Sequence, residues 1–138
     1  MVTSVVRTQQ LLMERIDAVL RPRDLTFARY EGLRLLSFTK DQSLPMTRLG
    51  SLLQVHPTSV TSAVDRLVKQ GFVVRERSTA DGRVVLASLT PEGRDVVEEA
   101  TTALNTEIFE KPGLTPDQVL SLTTLLGELR TVGGDHVE

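Results

Sequence analysis

The sequence predicts a mainly α fold (α+β), a winged helix-turn-helix, and three observations predict it. Apolar residues recur at helical spacing through most of the 138-residue chain. A short polar segment, Ser78-Thr79-Ala80-Asp81-Gly82-Arg83, separates two stretches rich in β-branched residues, Phe72 to Arg77 and Val84 to Leu89, and so reads as the tip of a two-stranded β-hairpin. That hairpin directly follows two helices joined by roughly three residues, Gln54-Val55-His56, which is the spacing of a helix-turn-helix.

Each element has a local reason. Val5, Leu12, Ile16, Val19 and Leu20 stripe a first helix over residues 3–20, ended by Arg21-Pro22. Thr26 caps a second, which carries Phe27, Tyr30, Leu33 and Leu36 to about Thr39. Residues 40–43 read as a loop, and Thr47 as the cap of a short third helix bearing Leu49, Leu52 and Leu53. Pro57 suits the first position of a fourth helix, where its missing N–H is not needed, and Gly71 ends that helix as a left-handed cap. In the hairpin tip, Asp81-Gly82 supplies turn chemistry because glycine tolerates positive φ. Thr90-Pro91-Glu92 opens a long fifth helix striped by Val97, Ala100, Leu104 and Ile108, and Pro112-Gly113 breaks it. Thr115-Pro116-Asp117-Gln118 has the form of a capping box for a sixth helix with Val119, Leu122, Leu126 and Leu129, stopped by Gly133-Gly134.

Composition excludes several functions. The chain has no cysteine, which removes disulfides, thiolate metal sites, a cysteine nucleophile and thiol redox sensing. His56 and His136 are too few for a His-rich metal site. Paired carboxylates in a cleft motif, a nucleophile elbow and a phosphate-binding loop are all missing, so the expectation is a non-enzyme without cofactor or metal. No apolar run spans a bilayer and the N-terminus does not read as a signal peptide, so a cytoplasmic protein without membrane contact is expected. Net charge is −2, but it is unevenly spread. Residues 47–94 carry seven basic and four acidic groups, whereas residues 95–138 carry two basic and nine acidic. A cationic middle suits a polyanion and an anionic tail does not, although a merely acidic surface helix would give the same totals.

The fourth helix divides cleanly. Val60, Ala63, Val64, Leu67 and Val68 share one side; Thr58, Ser59, Thr61, Ser62, Asp65, Arg66 and Lys69 share the other. Ser and Thr are mediocre helix formers, so four of them in the first turns call for a reason. Taken alone, a weak helix whose N-terminus attracts hydroxyls explains them as well as function does. Beside a hairpin and within helix-turn-helix spacing, DNA readout is favoured: small hydroxyls permit close approach to the major groove and bond base edges or phosphates, and Arg66 reaches a guanine or a phosphate. Arg75 and Arg77 on the first strand and Arg83 past the turn make a basic finger suited to the minor groove. Asp81 would orient one of those guanidiniums, through a bidentate contact.

These residues carry a resemblance. "LTFARYEGLRLL", "TRLGSLLQVHPTSVTSAVDRLVKQGFVVRERSTADGRVVLASLTPEGR" and the two helices that follow resemble the MarR (multiple antibiotic resistance regulator) family of bacterial transcription factors, over essentially the whole chain. The wing Asp-x-Arg (Asp81, Arg83) and "LTPEGR" are its most specific parts. The resemblance implies a homodimer on double-stranded DNA with a near-palindromic operator, a repressor relieved in many relatives by a small organic effector. It also implies one domain over 1–138, with residues 1–22 and 91–134 as dimerisation helices around a DNA-binding lobe at 26–90. Tyr30 and Arg34 could line an effector cleft, against the plainer readings of core and surface ion pair. Three positions depart from the family pattern: Gly82 where a basic residue is frequent, Gly50 for a usual Ala, and His56 at a cap position where Ser is common. The rival reading is a winged-helix protein-interaction module without sequence-specific DNA binding; it would want an apolar patch on the fourth helix, where the sequence has Ser and Thr.

Overall fold

The computed structural model describes residues 1–53 and 57–135. In chain order its elements are α1 (Val2–Leu20), a 3-10 turn (Arg21–Arg23), α2 (Phe27–Phe38), β1 (Ser43–Pro45), α3 (Met46–Leu53), α4 (Pro57–Lys69), β2 (Val73–Arg77), β3 (Val85–Leu89), α5 (Pro91–Leu104), a π-helical turn (Asn105–Phe109) and α6 (Pro116–Val132). The helices end where their chemistry says they should. Thr26 accepts from the Arg29 amide, Thr90 from Gly93, and Thr115 and Gln118 form the reciprocal capping box. Gly71, at φ 79°, closes the turn after α4 in the left-handed region.

The sheet has three strands where the sequence predicts two. β3 lies between β1 and β2, antiparallel to both, with Ser43 opposite Ser88 and Val73 opposite Leu89. β1 starts at Ser43, the last residue of the loop expected over 40–43, and runs on to Pro45. Three residues ending in proline show no alternation, and the partner that makes them a strand comes some forty residues later. Proline is tolerated because β1 is an edge. With β1 running straight into the next helix, α3 begins at Met46, so Thr47 lies inside it rather than capping it. The inter-helix segment Gln54-Val55-His56 lies outside the described residues, and with it the reading of His56 as a cap.

The core sits where α2, α3, α4, the sheet and α5 meet, and reaches α1 through Ile16 and Leu20. Leu33, Leu36, Leu49, Val64, Leu67, Val73, Ala87, Val97 and Leu104 are essentially inaccessible. Each such Val or Leu stabilises the fold by about 1.5–3 kcal/mol relative to exposure. Tyr30 is buried with them and its hydroxyl lies 2.9 Å from Thr101 Oγ1. Because Thr101 donates to the Val97 carbonyl at 2.6 Å, Tyr30 is the donor in that pair.

"LTPEGR" now has a physical meaning. Thr90 caps α5 and donates to the Gly71 carbonyl at 2.7 Å, fixing α5 to the end of the α4 turn. A Cβ on Gly93 would stand 2.1 Å from the Phe72 carbonyl oxygen, so only glycine lets α5 start this close to the root of β2. Arg94 grips Gln42, whose own carbonyl accepts from Leu89. Gly50, a departure from the family pattern, lies against α4: a Cβ there would meet Val60 Cγ2 at 3.3 Å, so glycine eases the close packing of α3 on α4.

Candidate nucleic-acid interface

α4 presents the face that its sequence predicts. Val60, Val64 and Leu67 are buried, while Thr58, Ser59, Thr61, Ser62, Asp65, Arg66 and Lys69 are exposed. The helix is anchored at both sides of its C-terminal half. On one side Asp65 pairs with Arg75 of β2, tying helix to wing. On the other, Arg66 Nη2 lies 3.2 Å from Asp24 Oδ2, and Gln70 reaches the same residue. An open concavity of about 650 Å³ runs between the start of α2 and α4, lined by Thr26, Arg29, Thr58, Ser59, Ser62, Ala63 and Arg66.

The wing tip is wired by side chains rather than by glycine. Gly82 is not at positive φ, contrary to the expectation for an Asp-Gly turn. Ser78 Oγ accepts from the amides of Ala80 and Asp81, Asp81 Oδ1 accepts from the Arg83 amide at 3.0 Å, and the Val84 amide donates to the Asp81 carbonyl. These local bonds hold the loop in shape without left-handed backbone. Asp81 sits beside Arg83, as the sequence allows, but through a single approach of 3.5 Å to Nε rather than a bidentate fork. Arg77 is held by another group: its Nη1 donates to the Gly82 carbonyl at 2.8 Å. Arg83 is left 94% exposed, against 35% for Arg75.

The structure therefore sorts the predicted residues by what already holds them. The α4 hydroxyls are exposed, and the Asp65–Arg75 pair ties their helix to the wing. Arg75 braces α4, Arg77 braces the tip, and Arg83 projects. Sequence reasoning missed Asp24, Thr26, Arg29 and Gln70. Their shared cluster forms across more than forty residues of chain, which no local spacing signals. Of the two effector-cleft candidates, Tyr30 is buried with its hydroxyl spent on Thr101. Arg34 stacks over the exposed Phe38 ring, 4.1 Å from its centre. Among the described residues no group of His, Cys, Asp or Glu is placed to hold a metal, and no helix is long and apolar enough to cross a membrane.

Comparison with known proteins bears on this surface. The MarR family model matches residues 25–85, which span the stretch from the start of the concavity to the wing. Sco5413, a MarR family transcriptional regulator from Streptomyces coelicolor, is 44% identical and superimposes with a TM-score of 0.89 over 99% of this chain and 95% of its own. The chain belongs to the MarR family. YhbI, an HTH-type transcriptional regulator of Bacillus subtilis, is 31% identical over 117 residues, or 83% of this MarR-family chain and 73% of YhbI. Sco3205 of Streptomyces coelicolor, a MarR family regulator solved in complex with DNA, is 29% identical with a TM-score of 0.80 over 95% of this chain and 82% of its own. Membership of the MarR family makes this chain a DNA-binding transcriptional regulator and not an enzyme.

Proposed function

We propose that the chain is a homodimeric, sequence-specific repressor that inserts α4 into the major groove and the β2–β3 wing into the minor groove of a near-palindromic operator. The observation that carries this reading is the exposed polar side of α4, with Thr58, Ser59, Thr61 and Ser62, tied through the Asp65–Arg75 pair to a wing that bears the exposed Arg83. Hydroxyls at that density allow contact with base edges, and an arginine at the tip matches the negative potential of a narrow minor groove. The DNA complex of Sco3205 supports the same partner. The protein-interaction alternative is less well served, because the exposed side of α4 is polar throughout.

The dimer is supported by what a single chain leaves uncovered. None of the described residues of α6 is buried; Leu120, Leu122, Leu125, Leu129 and Val132 are all exposed, Leu120 at 68% and Val132 at 87%. Val2, Val5, Val6, Leu11 and Leu12 of α1 are exposed as well. A second copy would cover these stripes and set two recognition helices about 34 Å apart, one turn of B-DNA. A small organic effector that relieves repression would meet the half-buried Arg34 and the exposed Phe38 ring, not the buried Tyr30. Selection of bound duplexes from a random pool tests the proposal. A two-fold symmetric consensus is the expected result, and equal affinity for the enriched and scrambled duplexes would reject it.

A further inference from the structure

Asp24 is an acidic residue on the surface that faces DNA in the proposed function, and it is built in with care. It ends the 3-10 turn after α1 with φ 52° and ψ 42°, in the left-handed region. Its carbonyl accepts from Gln70 Nε2 at 2.7 Å and Arg29 Nη1 at 3.1 Å. Arg29 Nη1 also donates to Gln70 Oε1 at 3.0 Å, and Arg29 Nε to Thr26 Oγ1 at 3.2 Å. The backbone of Asp24 is thus pinned to the end of the recognition helix and the start of α2. Its carboxylate then points one oxygen at Arg66 Nη2 and Gln70 Nε2, each at 3.2 Å.

A carboxylate on a phosphate-facing surface weakens binding to any DNA. A long arginine on a helix face, by contrast, is free to take whichever phosphate lies nearest. Held at one nitrogen, its planar fork samples fewer orientations, which favours discrimination between base edges. We propose that Asp24 is a specificity-determining positioning residue: it holds the Arg66 guanidinium so that Arg66 reads a base edge instead of roaming along the phosphates. Asp24 acts through Arg66 and does not itself touch DNA. The inference rests on the proposed DNA-reading role of α4.

The test uses the full chain, the duplex that the wild-type protein enriches from a random pool, and a scrambled duplex of the same length. Asp24→Asn keeps a residue that accepts left-handed backbone, and Asp24→Gly removes the side chain while fitting the same φ. In both variants the ratio of affinities, enriched over scrambled, falls about tenfold, the discrimination of one good base contact. Affinity for the scrambled duplex rises, and the slope of log affinity against log salt steepens by about 1, as Arg66 takes up a phosphate. In an Arg66→Ala background the Asp24 changes leave base preference unaltered. An unchanged ratio in both variants with native-like melting, or a shift of base preference that persists in the Arg66→Ala background, would overturn the assignment. Wild-type protein that fails to separate the two duplexes would overturn the DNA reading itself, and this inference with it, before any variant is made.

Discussion

In the lobe from Leu25 to Leu104 most apolar side chains are spent on neighbours within the same chain: Leu33 and Leu36 of α2, Leu49 of α3, Val64 and Leu67 of α4, Val97 and Leu104 of α5 are all buried, while Phe38, Leu52 and Val74 stay exposed. In α6 five apolar side chains stand in solvent, and in the first half of α1 another five do, Val2 to Leu12. Both regions show helical periodicity in sequence, yet only one closes on itself. The difference separates apolar residues that build a fold from those that await another surface. It also explains how one small chain divides its labour: the closed lobe is stiff enough to carry α4 and the wing as a unit, while the open end is left for association.

That comparison can be broken in graded ways. The largest expected effect lies inside the closed lobe. Gly93→Ala drives a Cβ into the Phe72 carbonyl, 2.1 Å away, and should cost about 3 kcal/mol or more, read as a collapse of the urea midpoint. A charge on the open end should act only on assembly. Leu125→Glu, at a position 61% exposed, should leave helix content intact while light scattering reports monomers, and affinity for the enriched duplex should fall by on the order of a hundredfold as bivalent binding is lost. A loss of helix content instead would show that α6 folds against its own chain. Tyr30→Phe removes one buried hydrogen bond to Thr101 and should destabilise the lobe by about 1 kcal/mol, with DNA affinity unchanged; a large loss of effector response alone would place Tyr30 in a ligand site. The smallest effect on stability is expected at the wing tip. Arg83→Ala should leave the melting temperature unmoved, weaken enriched and scrambled duplexes alike, and lower the salt slope by about 1.

Much of this division was legible in the chain itself. Helix starts were announced by Thr26, Thr90 and the Thr115–Gln118 box, because a capping side chain satisfies amides within its own first turn. The two sides of α4 followed from periodicity alone. The hairpin was legible as a pair of strands, but its tip was misread: Ser78 and Asp81 side chains shape it, and Gly82 stays out of the left-handed region. β1 was missed because its pairing with β3 is non-local.

What the residues determined unaided was the order of the elements, their ends, and which side of each helix is apolar, since propensity, capping and periodicity act within a few residues. What only the tertiary structure decided was the destination of each charged group. Arg75 goes to Asp65, Arg66 to Asp24, Arg77 to the Gly82 carbonyl, and Arg83 stays exposed beside Asp81. Long flexible side chains choose partners by proximity in space, and that proximity is created when distant segments pack, Asp24 against Arg66 above all.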